Sequence, residues 1–333
     1  MRAVLVLAVL LLASLCVPPG GAVTTPKPLR IALVDTGIDA AHPEFAPGQV
    51  VAWKDFTPEA SPTPKDGFGH GTGTASLVAG LDVGGCGGLR KLSFAPGASL
   101  VIARVGNDAG SIVGSIDDAI RWAVAQDADV ISISIGTSVP LPSSPDPAIR
   151  DARAAGVLVV VSAGNGLLNY GTAPYPSWLS SFADDPNVLS VGGGNRGGGT
   201  VGSTTGNTDP DVTSWSDNVC IAKANTAGYV QESGTSFAAP LVAGMAGKAI
   251  EIARANGQPA DRDHVYDLIL FSASNSVTSP YAREGMGFLL NAQWPALQAH
   301  AAAGTLPDYD AQGAWAVADH QYHDQAVMKL RGI

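Results

Sequence analysis

The chain has 333 residues, of which 46% are hydrophobic and 14% are charged, so it is long enough to bury one large core or two medium ones. Its formal net charge of −10 at pH 7 argues against nucleic acid and anionic membrane surfaces as partners. The composition by itself leaves the class of substrate or ligand open.

The N-terminal segment has the features of a secretory signal. Arg2 provides a positive start, and residues 3–15 form an apolar run that is too short to span a bilayer. Small residues follow as far as Ala22, which is the expected cleavage position. We therefore expect a secreted protein that has no association with a membrane after the signal is removed.

The cysteines of the mature chain are then Cys86 and Cys220, because Cys16 lies in the signal segment. In an oxidising compartment these two residues are able to form a disulfide. Nothing in the sequence fixes the distance between them, so two unpaired buried thiols are the alternative.

Short apolar runs alternate along the mature chain with segments of helical spacing. Strands are predicted at residues 29–34, 100–105, 130–135, 157–161 and 188–191. Helices are predicted at residues 116–125 and 148–155, from His70, and from Thr235 or Ser236 to about Asn256. Continuous apolar strands separated by helices predict an α/β fold whose mostly parallel sheet is covered on both faces. Residues 192–199 are glycine-rich and are predicted to form a mobile surface loop.

Polar residues follow several of the predicted strands. Asp35, Gly136 and Asn165 each come directly after an apolar run, and Ser236 stands at the start of a long helix. Sites in parallel sheets form beyond the carboxyl ends of the strands, and a helix N-terminus favours a developing negative charge. We therefore expect these residues to converge on one site.

Four short motifs contain these candidate residues and one histidine. Asp35 stands in Val-Asp-Thr-Gly-Ile, His70 in Gly-His-Gly-Thr, Asn165 in Ser-Ala-Gly-Asn and Ser236 in Gly-Thr-Ser-Phe-Ala-Ala-Pro. In this order the motifs resemble those of the subtilisin-like serine peptidases (subtilases), over about residues 29–256. The resemblance implies a subtilisin-like three-layer fold and a serine endopeptidase activity that needs no cofactor for its chemistry.

Each of the four residues has a role in such a reaction. Ser236 is the nucleophile, and it needs a base because a free hydroxyl is weakly nucleophilic. His70 is that base, and Asp35 orients its imidazole and stabilises the charged form. Asn165 and the backbone N–H of Ser236 donate to the oxyanion.

The resemblance also implies which backbone segments pair with an extended peptide substrate. The residues assigned to substrate binding are Gly110, Ser111, Ser134, Ile135, Gly136, Ser162, Ala163 and Gly164. Protein or peptide substrates are the partners this implies. Many relatives bind structural calcium, but no set of residues in this sequence matches a ligand set, so no metal ligand is assigned.

Other classes fit the sequence less well. Aspartic peptidases share Asp-Thr-Gly but need two such carboxylates, and the chain has one. An α/β-hydrolase needs Gly-x-Ser-x-Gly, whereas Ala238 occupies the last position, although Asp261, Asp263 and His264 follow Ser236. The main alternative is a catalytically silent protein that keeps the subtilase fold as a binding or scaffold module.

The sequence departs from the family pattern at several points. Gly73 and Leu241 stand where a histidine is usual, and residues 211–215 replace the usual Ala-Pro-Gly ahead of the serine motif. The segment His42-Pro43-Glu44 resembles a family turn and is interpreted as structural.

The domain division follows from these assignments. Residues 1–22 are the signal peptide, residues 23–295 the catalytic domain and residues 296–333 a C-terminal extension. Cleavage after Ala22 leaves only residues 23–34 ahead of Asp35, where secreted subtilases usually have a pro-segment. A folding helper or inhibitor supplied by another chain is therefore a candidate partner.

Overall fold

A sheet of seven parallel strands lies at the centre of the structure. The computed structural model describes residues 27–135, 147–165, 182–183, 185–196, 210–273, 289 and 292–307. The strands are β1 (Arg30–Asp35), β2 (Val50–Asp55), β3 (Gly85–Cys86), β4 (Leu89–Arg90), β5 (Ser99–Arg104), β6 (Val130–Ile133), β7 (Leu158–Ser162), β8 (Val188–Gly194), β9 (Val212–Trp215), β10 (Val219–Ala222) and β11 (Tyr229–Glu232). The helices are α1 (His70–Ala79), α2 (Ile116–Ala125), α3 (Pro147–Ala154), α4 (Thr235–Ala255), α5 (Arg262–Ser272) and α6 (Trp294–Ala303). The strand order of the sheet is β2-β5-β1-β6-β7-β8-β9, and β3-β4 and β10-β11 form two antiparallel pairs.

Both faces of the sheet are buried, because successive side chains of each strand point to opposite sides. Ile31 and Leu33 of β1 belong to one core cluster, which also contains residues of α1, α4 and α5. Ala32 and Val34 belong to a second cluster, with residues of α2 and α3. Each large aliphatic side chain buried in this way contributes about 1.5–3 kcal/mol. The predicted α/β fold with a doubly covered parallel sheet is confirmed.

Helix α4 is the longest element and begins with the serine motif. It is long and apolar enough to cross a membrane, but 78% of its most apolar 18-residue window is buried inside the domain. Its apolar character is explained by packing, since it contacts β1 and β6 to β9 as well as α1, α5 and α6.

The predicted strands correspond to β1, β5, β6, β7 and β8, with ends that differ by at most three residues. The predicted helix at residues 116–125 coincides with α2. The predicted mobile loop at residues 192–199 is wrong for residues 192–194, which are buried in β8. A Cβ on Gly192 would lie 2.9 Å from both Pro210 and Thr213 side-chain atoms, so close approach of neighbouring chain explains the glycine.

The sheet has a topological switch point at β1, where the side on which successive strands are added changes. The chain places β2 and β5 on one side of β1 and then β6 to β9 on the other, and ligands bind at such a switch point. Val34 is paired with Ile133, so Asp35 and Ser134, which follow them, lie at the same level. The topology thus brings the ends of β1 and β6 to one edge of the sheet.

Cys86 in β3 and Cys220 in β10 form a disulfide, with their Cα atoms 5.8 Å apart. The alternative of two free thiols is therefore wrong. Helix α6 crosses the predicted boundary at residue 295 and buries Leu297 and Ala301 in the core. The signal segment and residues 308–333 lie outside the described residues, so the domain division stays a prediction.

Candidate active site

Asp35 and His70 form a short side-chain contact at the edge of the sheet. Asp35 is the last residue of β1 and is 1% exposed, and His70 is the first residue of α1. Asp35 Oδ1 lies 2.7 Å from His70 Nδ1, and Asp35 Oδ2 accepts a hydrogen bond of 3.0 Å from the Thr74 hydroxyl. Because Nδ1 faces a carboxylate, it carries the proton in the neutral ring, which leaves Nε2 as the basic nitrogen.

The glycines of the two motifs let α1 pack directly against the turn after β1. A Cβ on Gly71 would lie 2.2 Å from the carbonyl oxygen of Gly37. Gly37 has a φ of 125°, and a Cβ there would lie 1.9 Å from the carbonyl oxygen of Lys65. Only glycine tolerates both conditions. This backbone contact sets the distance between Asp35 and His70.

Asp66 holds the beginning of α1, although it stands in none of the four motifs. Its buried carboxylate accepts hydrogen bonds from the N–H groups of Gly69 and Thr72, at 2.7 and 2.8 Å. It also accepts the hydroxyls of Thr72 and Thr36, at 2.7 and 2.9 Å. A carboxylate in this position satisfies free N–H groups and complements the helix dipole. Its position four residues before His70 is the signal that would have found it.

The environment of His70 favours the charged ring. Burial by itself lowers the pKa of His70. The charge and hydrogen bond of Asp35 raise the pKa, and the charges of Asp66 and Glu232 act in the same direction. The net pKa is raised above its ordinary value, so an imidazolium formed during a reaction is stabilised here. The side chain is still 19% exposed, which leaves one side of the ring accessible.

Ser236 is the second residue of α4, as predicted. Its hydroxyl donates a hydrogen bond of 3.1 Å to the carbonyl oxygen of Ser134. No hydrogen bond among the described residues joins it to His70, although the ring of Phe237, the next residue, lies 5.6 Å from the His70 ring. Catalytic hydrogen bonds commonly tighten only when substrate is bound, so this arrangement is compatible with a nucleophile.

Asn165 is held against the start of α4 by Thr235. Its Oδ1 accepts from the backbone N–H of Thr235 at 2.9 Å and from the Thr235 hydroxyl at 3.1 Å. The same hydroxyl accepts the N–H of Gly164 at 3.0 Å. With the amide oxygen engaged, Nδ2 faces Gly234, where an added Cβ would lie 3.2 Å from it. An amide donor is thereby directed toward the serine motif.

The predicted substrate-binding residues around β6 and β7 lie next to this site. Ser134 follows β6 and Ser162 ends β7, and the pairing of Ile133 with Val161 puts them at the same level. Ser134 is 4% exposed and Ile135 is more open. Ala163 is buried, and Gly164 adopts a φ of 103°. Gly136 lies outside the described residues.

Gly110 and Ser111 lie in a turn that contacts Phe68. The backbone N–H of Ser111 donates to Asn107 Oδ1, and its carbonyl accepts the Asn107 N–H, both at 2.9 Å. Gly110 has a φ of 80°, and a Cβ there would lie 2.7 Å from the Phe68 ring. Phe68 is two residues before His70, which links the turn to the site. Peptide binding by Gly110 and Ser111 stays a prediction.

The residues of the hydrolase alternative lie elsewhere. Asp261 is the N-cap of α5 and accepts the His264 N–H at 2.9 Å, and Asp263 is paired with Arg262 at 2.7 Å. No hydrogen bond or ion pair in the described part of the chain joins them to Ser236. These residues begin a helix, so the role that the alternative gave them has no geometric support.

The positions at which the sequence departs from the family pattern are explained by how they pack in the fold. A Cβ on Gly73 would lie 2.5 Å from the end of the Ile221 side chain, so α1 and β10 are in close contact there. Leu241 is 2% exposed and belongs to the main core. Residues 212–215 form β9 at the edge of the sheet.

Comparisons with known proteins identify the family of this chain. A profile described as the subtilase family matches residues 27–288. Thermitase from Thermoactinomyces vulgaris is 35% identical over 223 residues, which cover 66% of this chain and 73% of thermitase. Subtilisin E from Bacillus subtilis (strain 168) is 31% identical over 221 residues, covering 66% of this chain and 54% of subtilisin E. The chain thus spans about half the length of that relative.

Three further comparisons bear on localisation and fold. The major intracellular serine protease of Bacillus subtilis (strain 168) is 31% identical over 224 residues, covering 66% of this chain and 67% of that protein. The prenylagaramide maturation protease PagA superposes with a TM-score of 0.64 at 24% identity, over 82% of this chain and 95% of PagA. A mutant of the protease domain of PatA gives the same TM-score and identity over 81% of this chain and 95% of that one. At this identity the structural likeness concerns the fold alone.

Proposed function

Because this chain belongs to the subtilase family of serine endopeptidases, we propose that Asp35, His70 and Ser236 form its catalytic triad and hydrolyse peptide bonds through an acyl-enzyme. The observation that carries the proposal is the 2.7 Å contact between Asp35 Oδ1 and His70 Nδ1. That contact leaves His70 Nε2 as a base on the accessible side of the ring, beside the helix that begins with Ser236.

The first step is acylation. The Ser236 hydroxyl turns from the Ser134 carbonyl toward His70 Nε2, which takes its proton as Oγ attacks the scissile carbonyl carbon. Asp35 keeps the ring in the required tautomer and stabilises the imidazolium, consistent with the raised pKa of His70. The imidazolium then gives its proton to the leaving amine as the peptide C–N bond breaks.

The oxyanion is stabilised at the beginning of α4. Asn165 Nδ2 donates to the developing negative charge, together with the backbone N–H of Ser236 at the positive end of the helix dipole. Thr235 holds the amide oxygen of Asn165 and therefore keeps Nδ2 turned toward the reaction.

The second step is deacylation. Water loses a proton to His70 Nε2 and attacks the acyl carbon, and the proton returns to Ser236 Oγ as the ester bond breaks. The second product leaves as a carboxylic acid, and the triad is restored. No step needs a cofactor.

The proposal extends to localisation and partners. The Cys86–Cys220 disulfide supports an oxidising compartment and hence secretion after loss of residues 1–22. We propose protein or peptide substrates, bound through the segments assigned above, with residues 23–295 as the catalytic domain. Peptide mapping of protein recovered from the medium of an expressing host would test this, with Val23 expected at the N-terminus. Protein that stays in the cells with Met1 or Arg2 at its N-terminus would contradict secretion.

The test of the activity is covalent labelling of the serine. Intact mass is measured before and after treatment with a fluorophosphonate, for the wild type, Ser236→Ala and His70→Ala. We expect one adduct on the wild type, none on Ser236→Ala and strongly slowed labelling of His70→Ala. His264→Ala is the matched control, because that histidine lies at the start of α5, and it should label like the wild type.

The scaffold alternative gives the opposite result. A folded wild-type protein that neither labels nor cleaves an unfolded protein substrate would show that the site is silent. Labelling that depends on His264 instead of His70 would show that the base is assigned to the wrong histidine.

A further inference from the structure

The family resemblance implies structural calcium, which needs several oxygen ligands that converge on one point. No group of three or more histidine, cysteine, aspartate or glutamate side chains among the described residues is arranged to hold a metal ion. One set of oxygens that converge on a point lies at the C-terminal end of α1. There the carboxylates of Glu44 and Asp82 converge with the carbonyl oxygen of Ser76, the type of oxygen set that suits a hard cation.

The centre of this oxygen set is occupied by the ammonium group of Lys91. Lys91 Nζ donates to the Ser76 carbonyl at 2.6 Å and to Asp82 Oδ1 at 2.8 Å, and lies 3.1 Å from Glu44 Oε2. An ammonium group has three N–H donors, and three oxygens surround it. The side chains of Lys91 and Glu44 are both 0% exposed. Lysine is almost never buried to this extent unless it is paired.

Glu44 holds the following loop at the same time. Its carboxylate accepts the backbone N–H groups of Asp82, Val83 and Gly84, at 2.9, 3.1 and 3.3 Å. It also accepts the hydroxyl of Tyr229 at 2.8 Å. Three consecutive N–H groups are thus directed at one buried carboxylate, so the shape of the loop depends on Glu44 being charged.

Lys91 supplies the charge that keeps Glu44 ionised. Burial raises the pKa of Glu44, and the positive charge of Lys91 with the hydrogen bonds to the carboxylate offsets it, so that the pKa is lowered overall. The Ser76 carbonyl belongs to the last turn of α1, where a cation also complements the helix dipole. Lys91 therefore stabilises both the loop and the helix that begins with His70.

The residues do not fit a metal ion in addition to Lys91. A Cβ on Gly80 would lie 2.6 Å from Glu44 Oε2 and 2.7 Å from Lys91 Nζ, so the group is enclosed on that side as well. A divalent ion at the same oxygens would also stand within contact distance of a buried ammonium charge.

We propose that Lys91 is a built-in cation, which closes the loop at residues 81–91 in the way that a bound divalent metal ion would. The loop should therefore be independent of calcium and resistant to chelators, and the disulfide at Cys86 attaches it further to β10. This inference does not rest on the proposed catalytic activity.

The experiment uses the Ser236→Ala protein, so that autolysis does not contribute. Hydrogen exchange of the peptide that contains residues 82–84 is followed by mass spectrometry in EDTA and in excess CaCl2. We expect the same exchange of this peptide in both solutions. Exchange in this peptide that is faster in EDTA and slow again in CaCl2 would overturn the proposal, because a metal ion would then hold the loop.

Substitution of Lys91 tests the charge directly. Lys91→Met keeps the length of the side chain but leaves Glu44 uncompensated, and we expect the Tm to fall by about 10 °C and exchange at residues 82–84 to become about tenfold faster or more. Lys248→Met is the matched control, because Lys248 forms an exposed pair with Glu251 and its loss should leave both readouts unchanged. A Lys91→Met protein that unfolds like the control would overturn the proposal.

A double variant keeps the test decisive if Lys91→Met does not fold. Glu44→Gln with Lys91→Met removes both charges, and a neutral pair in place of a buried ion pair is often tolerated. We expect the double variant to fold and to regain about half or more of the lost Tm. A double variant that is no more stable than Lys91→Met would show that Lys91 does not act by compensating Glu44.

Discussion

Each end of α1 has a carboxylate in contact with a basic side chain, but the two contacts differ in their exposure to solvent. At the N-terminal end, Asp35 lies 2.7 Å from His70, whose side chain is 19% exposed and whose Nε2 remains available. At the C-terminal end, Glu44 lies 3.1 Å from Lys91, and both side chains are 0% exposed. The first contact is open on the side where a proton must enter and leave. The second is closed on every side, as expected of a charge that must not change.

The surroundings of the two carboxylates differ in the same way. The partners of Asp35 fix its orientation: Oδ1 accepts the Thr36 N–H at 2.7 Å and Oδ2 the Thr74 hydroxyl at 3.0 Å. The partners of Glu44 are mainly N–H groups of a loop, so that carboxylate shapes the backbone. One contact therefore has the features expected of the proposed chemistry and the other stabilises the fold, although one helix connects them.

The largest effect is expected from neutralising the carboxylate of the proposed triad. Asp35→Asn removes the charge that orients and stabilises His70, and should lower kcat by about 10⁴-fold with little change in Tm. Glu44→Gln is the counterpart at the other end of the helix, and should lower the Tm while kcat of the folded protein stays close to that of the wild type. Steady-state kinetics on a chromogenic peptide and thermal unfolding measure both effects. A Glu44→Gln protein that keeps its Tm but loses activity would break the distinction between the two ends.

The next largest effect is expected from removal of the disulfide between Cys86, in the loop at residues 81–91, and Cys220. Cys86 and Cys220 are separated by 134 residues, and their bond restricts the unfolded chain accordingly. Replacing both by alanine should lower the free energy of unfolding by about 4 kcal/mol, with kcat/KM at low temperature unchanged. Denaturant unfolding of the oxidised wild type and the variant measures the difference. Unchanged stability would mean that Lys91 and its oxygen partners hold the loop at residues 81–91 without the disulfide.

Much of this fold is predictable from local pattern, and the exceptions have physical reasons. The apolar runs of β1, β5 and β7 are continuous because both of their faces are buried. Strand β2 is not predicted because it lies at the edge of the sheet, where Lys54 and Asp55 interrupt the apolar pattern. The prediction of a loop at residues 192–194 fails because glycine usually marks flexibility, whereas here it permits close packing in β8.

The candidate site likewise contains residues that a local pattern identifies and contacts that no local pattern predicts. Asp35, His70, Asn165 and Ser236 are identifiable because each stands in a motif, and the order of the motifs is informative. The contacts that hold them are not identifiable in this way: Thr235 stands in the serine motif and Asp66 lies four residues before His70, but the fold determines their partners. Lys91 is the clearest case, since its partners Glu44 and Ser76 are 47 and 15 residues away in the chain. No local pattern distinguishes it from an exposed lysine.

A smaller effect is expected where the fold orients a catalytic group indirectly. Thr235→Val removes the hydroxyl that holds Asn165 Oδ1 and the Gly164 N–H, so the amide of Asn165 can turn away from the oxyanion. We expect kcat to fall by about tenfold to a hundredfold with KM little changed, which is less than the loss of the donor itself in Asn165→Ala. Steady-state kinetics of Thr235→Val, Thr235→Ser and Asn165→Ala measures this, and the serine variant should restore most of the rate. A valine variant with full kcat would show that Thr235 does not position the amide.

The smallest effect is expected from the charges around the N-terminal end of α1, where His70 lies. Glu232 is exposed in β11 and raises the pKa of His70 from a distance, so Glu232→Gln should lower the kinetic pKa at low salt and have a smaller effect at high salt. In the proposed mechanism the neutral ring of His70 is the base, so activity should rise as pH increases through the raised pKa. Stability changes in the opposite direction: the contribution of charged His70 is fully present below its unfolded pKa and is lost as pH rises through the folded pKa. Profiles of kcat/KM against pH for Glu232→Gln, with Glu251→Gln as a control on α4, measure the shift. An equal shift in the control would mean that the net charge of the protein, and not the position of Glu232, sets the pKa of His70.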